Sequence, residues 1–286
     1  MRKHLNNKQV ALSAVILIAA VLIAVLSLTV SMPTVAYAYE AGEIYYAGSG
    51  TFTRETESFS YATKTTESYS INPSFPDYFN FNADLDNTCA NVAGANLIGY
   101  YDRFYDNLIP DYTAGMLRNN IYIYFPMGYY VDYKQNVIND LYHRMQTNVT
   151  NAGSTQAQYK SGLSSYVQSK NLSATFSSVM TNGSFDLEKA KVQLQNGNPI
   201  SLYLLGFGFT KVTDNGSTVT WAKTLCDGNH IAIAYGYEKV NYFDANGQVI
   251  RTETYLKTAT GFDTTTGVYV VNNYGTLYDA EAVHIA

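Results

Sequence analysis

Residues 194–205 read LQNGNPISLYLL, and the chain changes character inside them. Before Gly197, apolar residues recur at spacings of three and four. After Pro199, short apolar, β-branched and aromatic runs are separated by turn residues. A glycine just past a periodic run, with proline two residues later, is a helix stop. Helices therefore lead and strands follow. That order predicts an α+β fold, a helical lobe packed on an antiparallel β-sheet lobe.

Upstream, the helix that ends at Gly197 starts near Ser184 and carries Leu187, Ala190, Val192 and Leu194. Helices are also expected over Ser154 to Lys170, over Val131 to Met145, and from Asn87 to the stop at Pro110. Downstream, strands are expected at 199–205, 217–223, 230–237, 248–256 and 267–272. The turn signals between them include Asp214-Asn215-Gly216 and Asp244-Ala245-Asn246-Gly247. Residues 39–75 alternate Tyr, Phe and Thr with polar residues. They are expected as thin edge strands, or as an N-terminal extension or pro-segment.

The first 38 residues hold Arg2, Lys3 and Lys8, an apolar run from Val10 to Val30, and Ala36-Tyr37-Ala38. This is the pattern of a secretory signal peptide cut after Ala38, with an uncleaved anchor as the rival reading. A secreted or cell-surface location is expected, with no stable membrane association after cleavage. Of 18 basic residues three fall in the signal, which leaves 15 against 23 acidic ones, a net charge of −8. So acidic a chain is not expected to bind nucleic acid. The oligomeric state is left open. Sequons at Asn148, Asn171, Asn182 and Asn215 matter only in a host that glycosylates its secreted proteins.

One of the two cysteines heads the first helix, in NTCANVAGANLIGYYDR (87–103). Asn87 or Thr88 is a good N-cap. Cys89 then lies in the first turn, where free N–H groups and the helix dipole favour a thiolate. A nucleophile needs a base, and three histidines follow the signal. His143 reads as an ordinary helix residue and His284 as structural. His230 opens an apolar strand in GNHIAIAYGYE after Gly228-Asn229, so its ring is expected at a strand mouth. It lies 141 residues after Cys89, a separation within the papain-type range.

A third group should orient the imidazole. If 267–272 returns antiparallel beside 230–238, Asn272 lies opposite His230, with Asn273 the choice if the register slips by one. Asp244 is accounted for by its own turn.

The motif Asn272-Asn273-Tyr274-Gly275-Thr276 resembles the Asn-Ser-Trp-Gly motif of papain-like cysteine peptidases. The cysteine and histidine boxes, with Gly197-Asn198-Pro199-Ile200, resemble those of the bacterial group related to bacteriocin-processing (double-glycine) peptidases. The resemblance runs over about residues 75–286, so 76–286 is expected to be the peptidase domain. It implies a papain-like fold, with Cys89 as nucleophile, His230 as general base and acid, and Asn272 as orienter. Two positions depart from the pattern. Ala83 stands where the group has an oxyanion-donating Gln, which leaves Asn82 and Asn87 as candidate donors. Ala90-Asn91 stands where Gly-Pro is common.

Cys226, four residues before His230, opens a rival reading. A Cys89–Cys226 disulfide would make the chain a catalytically silent secreted binding or adhesion protein. The thiol reading leads to hydrolysis of peptide or protein substrates through a thioester. A cell-wall amidase or transpeptidase would use the same pair. No cofactor or metal is expected. Paired-Cys and His-x-x-x-His motifs are lacking, and Asp84-Leu85-Asp86-Asn87 lacks the glycine and distal glutamate of a calcium loop.

Overall fold

The computed structural model describes residues 43–80, 82–125, 131–262, 267–271 and 275–286, with backbone alone over 131–135. The expected signal peptide, residues 1–38, lies outside them. Among the described residues no helix is long and apolar enough to cross a membrane.

Among the described residues, four helices occupy the four expected regions: α1 (Cys89–Asp102), α2 (Val131–Arg144), α3 (Gln156–Gln168) and α4 (Leu187–Gln195). Eight strands form one antiparallel sheet: β1 (Phe52–Ser60), β2 (Thr63–Ser70), β3 (Ala174–Ser178), β4 (Ile200–Asp214), β5 (Thr218–Phe243), β6 (Val249–Ala259), β7 (Gly267–Val270) and β8 (Thr276–Ile285). Their spatial order is β1-β5-β6-β7-β4-β8-β3, and β2 lies along the second half of β5. Because β4 also pairs with β5, the strands β4, β5, β6 and β7 close a ring. Two-residue strands at Tyr45–Tyr46 and Ser154–Thr155 pair separately.

This is a β-rich fold with four short helices. It corrects the expected α+β, papain-like balance of a helical lobe against a sheet lobe. Three local features account for the difference. Residues 52–70, which lack a long apolar run, form two Thr-rich strands that pair with the two halves of β5 and suit a half-exposed sheet, and Phe59 packs on Trp221. Gly206, at φ +60°, absorbs a bulge between Leu205 and Phe207, so β4 continues where a break was expected. Finally, Asp227 and Gly228 are taken up in the bulge opposite Gly206, and the ladder resumes at Asn229. Asn229 faces Leu205 and His230 faces Leu204, so His230 lies inside β5 and not at a strand mouth.

The expected pairing of 267–272 with 230–238 does not form. Strand β7 pairs with Tyr255–Thr258 of β6 and with Phe209 and Thr210 of β4. Residues 230–234 pair with 200–204, and 233–243 with β6. Asn272 and Asn273 themselves lie outside the described residues.

Helix α1 is buried on every side, between α2, α3 and one face of β5. Its small residues allow this approach. A Cβ on Gly94 would lie 2.9 Å from Leu141, and one on Gly99 would lie 2.5 Å from the Tyr78 hydroxyl. Such a helix needs apolar neighbours all round. The opposite face of the sheet buries Leu202, Leu204, Phe207 and Leu256. A third cluster encloses Trp221, whose indole N–H donates to the Tyr255 hydroxyl at 3.2 Å.

Candidate active site

Cys89 is the first residue of α1. Thr88 precedes it in the cap position without a side-chain capping bond, and Asn87 adopts left-handed backbone at φ +56°. The expected side-chain cap is therefore not made. The backbone N–H groups of Ile231, Ala90 and Cys89 itself are directed at the sulfur. Strand β5 thus meets the helix start at the residue after His230.

The His230 ring is buried and stacks against Phe207 (centroids 4.6 Å apart) and Phe262 (4.7 Å). Its Nε2 lies 2.7 Å from the carbonyl oxygen of Thr260. A carbonyl can only accept, so Nε2 carries the hydrogen and Nδ1 keeps its lone pair. Among the described residues Nδ1 has no hydrogen-bond partner. A Cβ built on Gly48 would lie 3.1 Å from this Nδ1 and 3.4 Å from the Cys89 sulfur. The basic nitrogen and the thiol therefore flank one point.

Both groups are neutral in this arrangement. Burial pushes the Cys89 thiol up to about 12, against the three N–H groups that favour the anion. Burial likewise holds the imidazole down to about 4, opposed by its bond to Thr260. The lowered thiol pKa expected from the helix dipole is outweighed by desolvation.

Thr260 belongs to the turn after β6, and Gly261 there takes φ +76°, where a Cβ would lie 3.4 Å from Val92 and 4.0 Å from the His230 ring. The backbone N–H groups of Gly261 and Thr260 are directed at the buried carboxyl of Asp77. Burial raises that carboxyl to about 7, and these N–H groups pull it the other way. Asp77 thus lies beside the turn whose carbonyl orients His230, with its Oδ1 buried and without a hydrogen-bond partner among the described residues. Asp77 and Thr260 were both missed from sequence. The available signals were an acid set between Pro76 and Tyr78 and a Thr-Gly-Phe turn.

Cys89 and His230 themselves line a cavity of about 700 Å³, together with Asn80, Asn87, Thr88, Val92 and Phe262 among others. Of the two oxyanion candidates, Asn87 lines it, with its amide N–H donating to Asn148 Oδ1 at 3.0 Å. Asn82 does not line it, and its side-chain oxygen accepts from the Asp84 N–H at 3.0 Å. Both cysteines are free thiols. Cys89 packs with the α1 cluster and Cys226 with the cluster on the other sheet face. Among the described residues no cluster of His, Cys, Asp and Glu could hold a metal ion. His284 Nδ1–H donates to Asn198 Oδ1 at 3.0 Å, away from the pair. Asp244 accepts from the N–H groups of Asn246 and Gln248 in its own turn.

No protein-family model, curated protein or solved structure matches this chain.

Proposed function

We propose that Cys89 and His230 are the nucleophile and general base of a thiol hydrolase acting on peptide bonds. The observation that carries this reading is the tautomer of His230. The Thr260 carbonyl holds the hydrogen on Nε2, which leaves the unpartnered Nδ1 beside a thiol at a helix start. A histidine kept only for packing has no need of a bare, buried ring nitrogen, which costs free energy there.

The chemistry follows from these positions. Nδ1 takes the thiol proton as sulfur attacks the amide carbonyl carbon, and it returns that proton to the amine as the C–N bond breaks. The acyl group stays on sulfur as a thioester. Water, deprotonated by the same Nδ1, then adds to the thioester and releases the acid and the thiol. The free N–H groups of the first helical turn and the helix dipole favour negative charge developing at this end of α1. The cavity that the pair lines accommodates several residues of an extended chain, which favours a peptide substrate.

Hydrolysis of unfolded casein by the purified chain, compared with Cys89→Ala, tests the reading. Loss of cleavage with an unchanged fold is expected. Undiminished cleavage in Cys89→Ala would remove the thiol from the chemistry.

A further inference from the structure

We propose that residues 45–51 form a built-in strap that covers one side of the Cys89–His230 pair and narrows access to it, so that the chain with its strap in place is the latent form of the site. This rests on the reading of the pair as nucleophile and base.

The strap is pinned at both ends. Tyr45 and Tyr46 pair with Thr155 and Ser154, and Tyr46 is buried against Tyr203. At the other end, Phe52 enters β1 opposite Cys226. Between these anchors the main chain crosses in front of the pair. Gly48 N–H donates to Asn229 O at 2.8 Å, Asn229 Nδ2 to Tyr45 O at 3.0 Å, and Thr51 N–H to Asp227 Oδ1 at 2.7 Å. Ser49 Oγ lies 3.2 Å from Asn87 Oδ1, so the strap also engages a residue that lines the cavity.

Gly48 is the contact point. It holds φ +69°, and a Cβ there would lie 2.8 Å from Cys89 Cβ and 3.1 Å from His230 Nδ1. Only a glycine backbone fits so close over the pair. With the strap down, Cys89 is 7% exposed and His230 1%. The sulfur is left only a narrow exposure to the cavity, and both groups are desolvated into their neutral forms. The crossing piece is held by few and mostly exposed hydrogen bonds, which places it among the easily opened parts of a fold. Cys89 and His230 already line the cavity with Ala47, Gly48 and Ser49 as one wall, and lifting that wall widens the opening and admits more water to the pair.

The test is the rate at which iodoacetamide alkylates Cys89 in the full chain, at about pH 8 near the ordinary thiol pKa, read by peptide mapping. Gly48→Ala adds a methyl where there is no room and disfavours the backbone conformation. Asp227→Ala removes the Thr51 anchor without touching the pair. Native folding of each is checked by the melting of Trp221 fluorescence, and Asp227→Ala decides the matter if Gly48→Ala does not fold. Slow labelling of the parent chain and labelling about tenfold faster in a folded variant are expected. Equal rates in parent and folded variants, or parent labelling as fast as in the denatured chain, would overturn the strap. Casein hydrolysis on the same samples separates the two readings. Fast labelling without cleavage would sink the peptidase reading and leave the strap standing. Cleavage with equal labelling rates would do the reverse.

Discussion

The Nε2–H of His230 donates to the carbonyl oxygen of Thr260 across 2.7 Å, and this bond decides which ring nitrogen faces Cys89. With Nδ1 as the base, His230→Ala should lower kcat/KM for peptide hydrolysis by roughly a hundredfold to ten-thousandfold. Steady-state assays with the variant at matched fold stability check this. Activity within a few-fold of the parent would exclude the imidazole as base.

Asp77 and His230 pull the pH dependence of stability in opposite directions. Asp77 titrates near 3.8 when exposed and near 7 in the fold, so its contribution is present at low pH and is lost as pH rises through that window. His230 titrates near 6.5 when exposed and near 4 in the fold, so its contribution is full above 6.5 and is lost as pH falls toward 4. The parent curve is flattened where the two overlap. Asp77→Asn removes one term, and its stability should rise with pH between about 4 and 6.5 more steeply than the parent's. Urea unfolding followed by Trp221 fluorescence at a series of pH values measures both slopes. Parallel curves would mean that Asp77 is already ionised in the fold.

Gly99 has no room for a methyl group, since its Cβ would meet the Tyr78 ring and hydroxyl at 2.5 to 2.9 Å. Tyr78 is fully buried and hydrogen-bonded to Tyr112, so it cannot swing away. Gly99→Ala should therefore destabilise the chain by about 1–3 kcal/mol, although alanine is the better helix former. A lowered urea midpoint at unchanged slope is the expected reading.

Helix α3 starts with a reciprocal pair of bonds. The Gln158 N–H donates to Thr155 Oγ1 at 3.1 Å, and the Thr155 N–H donates to Gln158 Oε1 at 2.8 Å. Thr155→Ala removes one of them and should cost about 1 kcal/mol in urea unfolding.

Several features could be read from the sequence alone, because each is set by neighbours in the chain. The helices over 131–145, 154–170 and 184–197 follow from apolar residues spaced by three and four, and from Gly197-Asn198-Pro199 as a stop. The placing of Cys89 at a helix start, and the choice of His230 from so few histidines, needed no distant contact. The strand content did not follow in this way. Whether Gly206 or Asp227-Gly228-Asn229 ends a strand depends on the partner across the ladder, which resumes where Leu205 and Leu204 face Asn229 and His230. Only the folded chain brings Asp77, Thr260 and Gly48 around the pair, from three segments without periodicity or motif. Their roles rest on backbone N–H and C=O groups, which every residue carries and which no residue letter records. Desolvation was equally hidden. The letters around Cys89 announce a helix dipole that favours thiolate, while the burial that outweighs it exists only once the strap, the helix and β5 have closed over the sulfur.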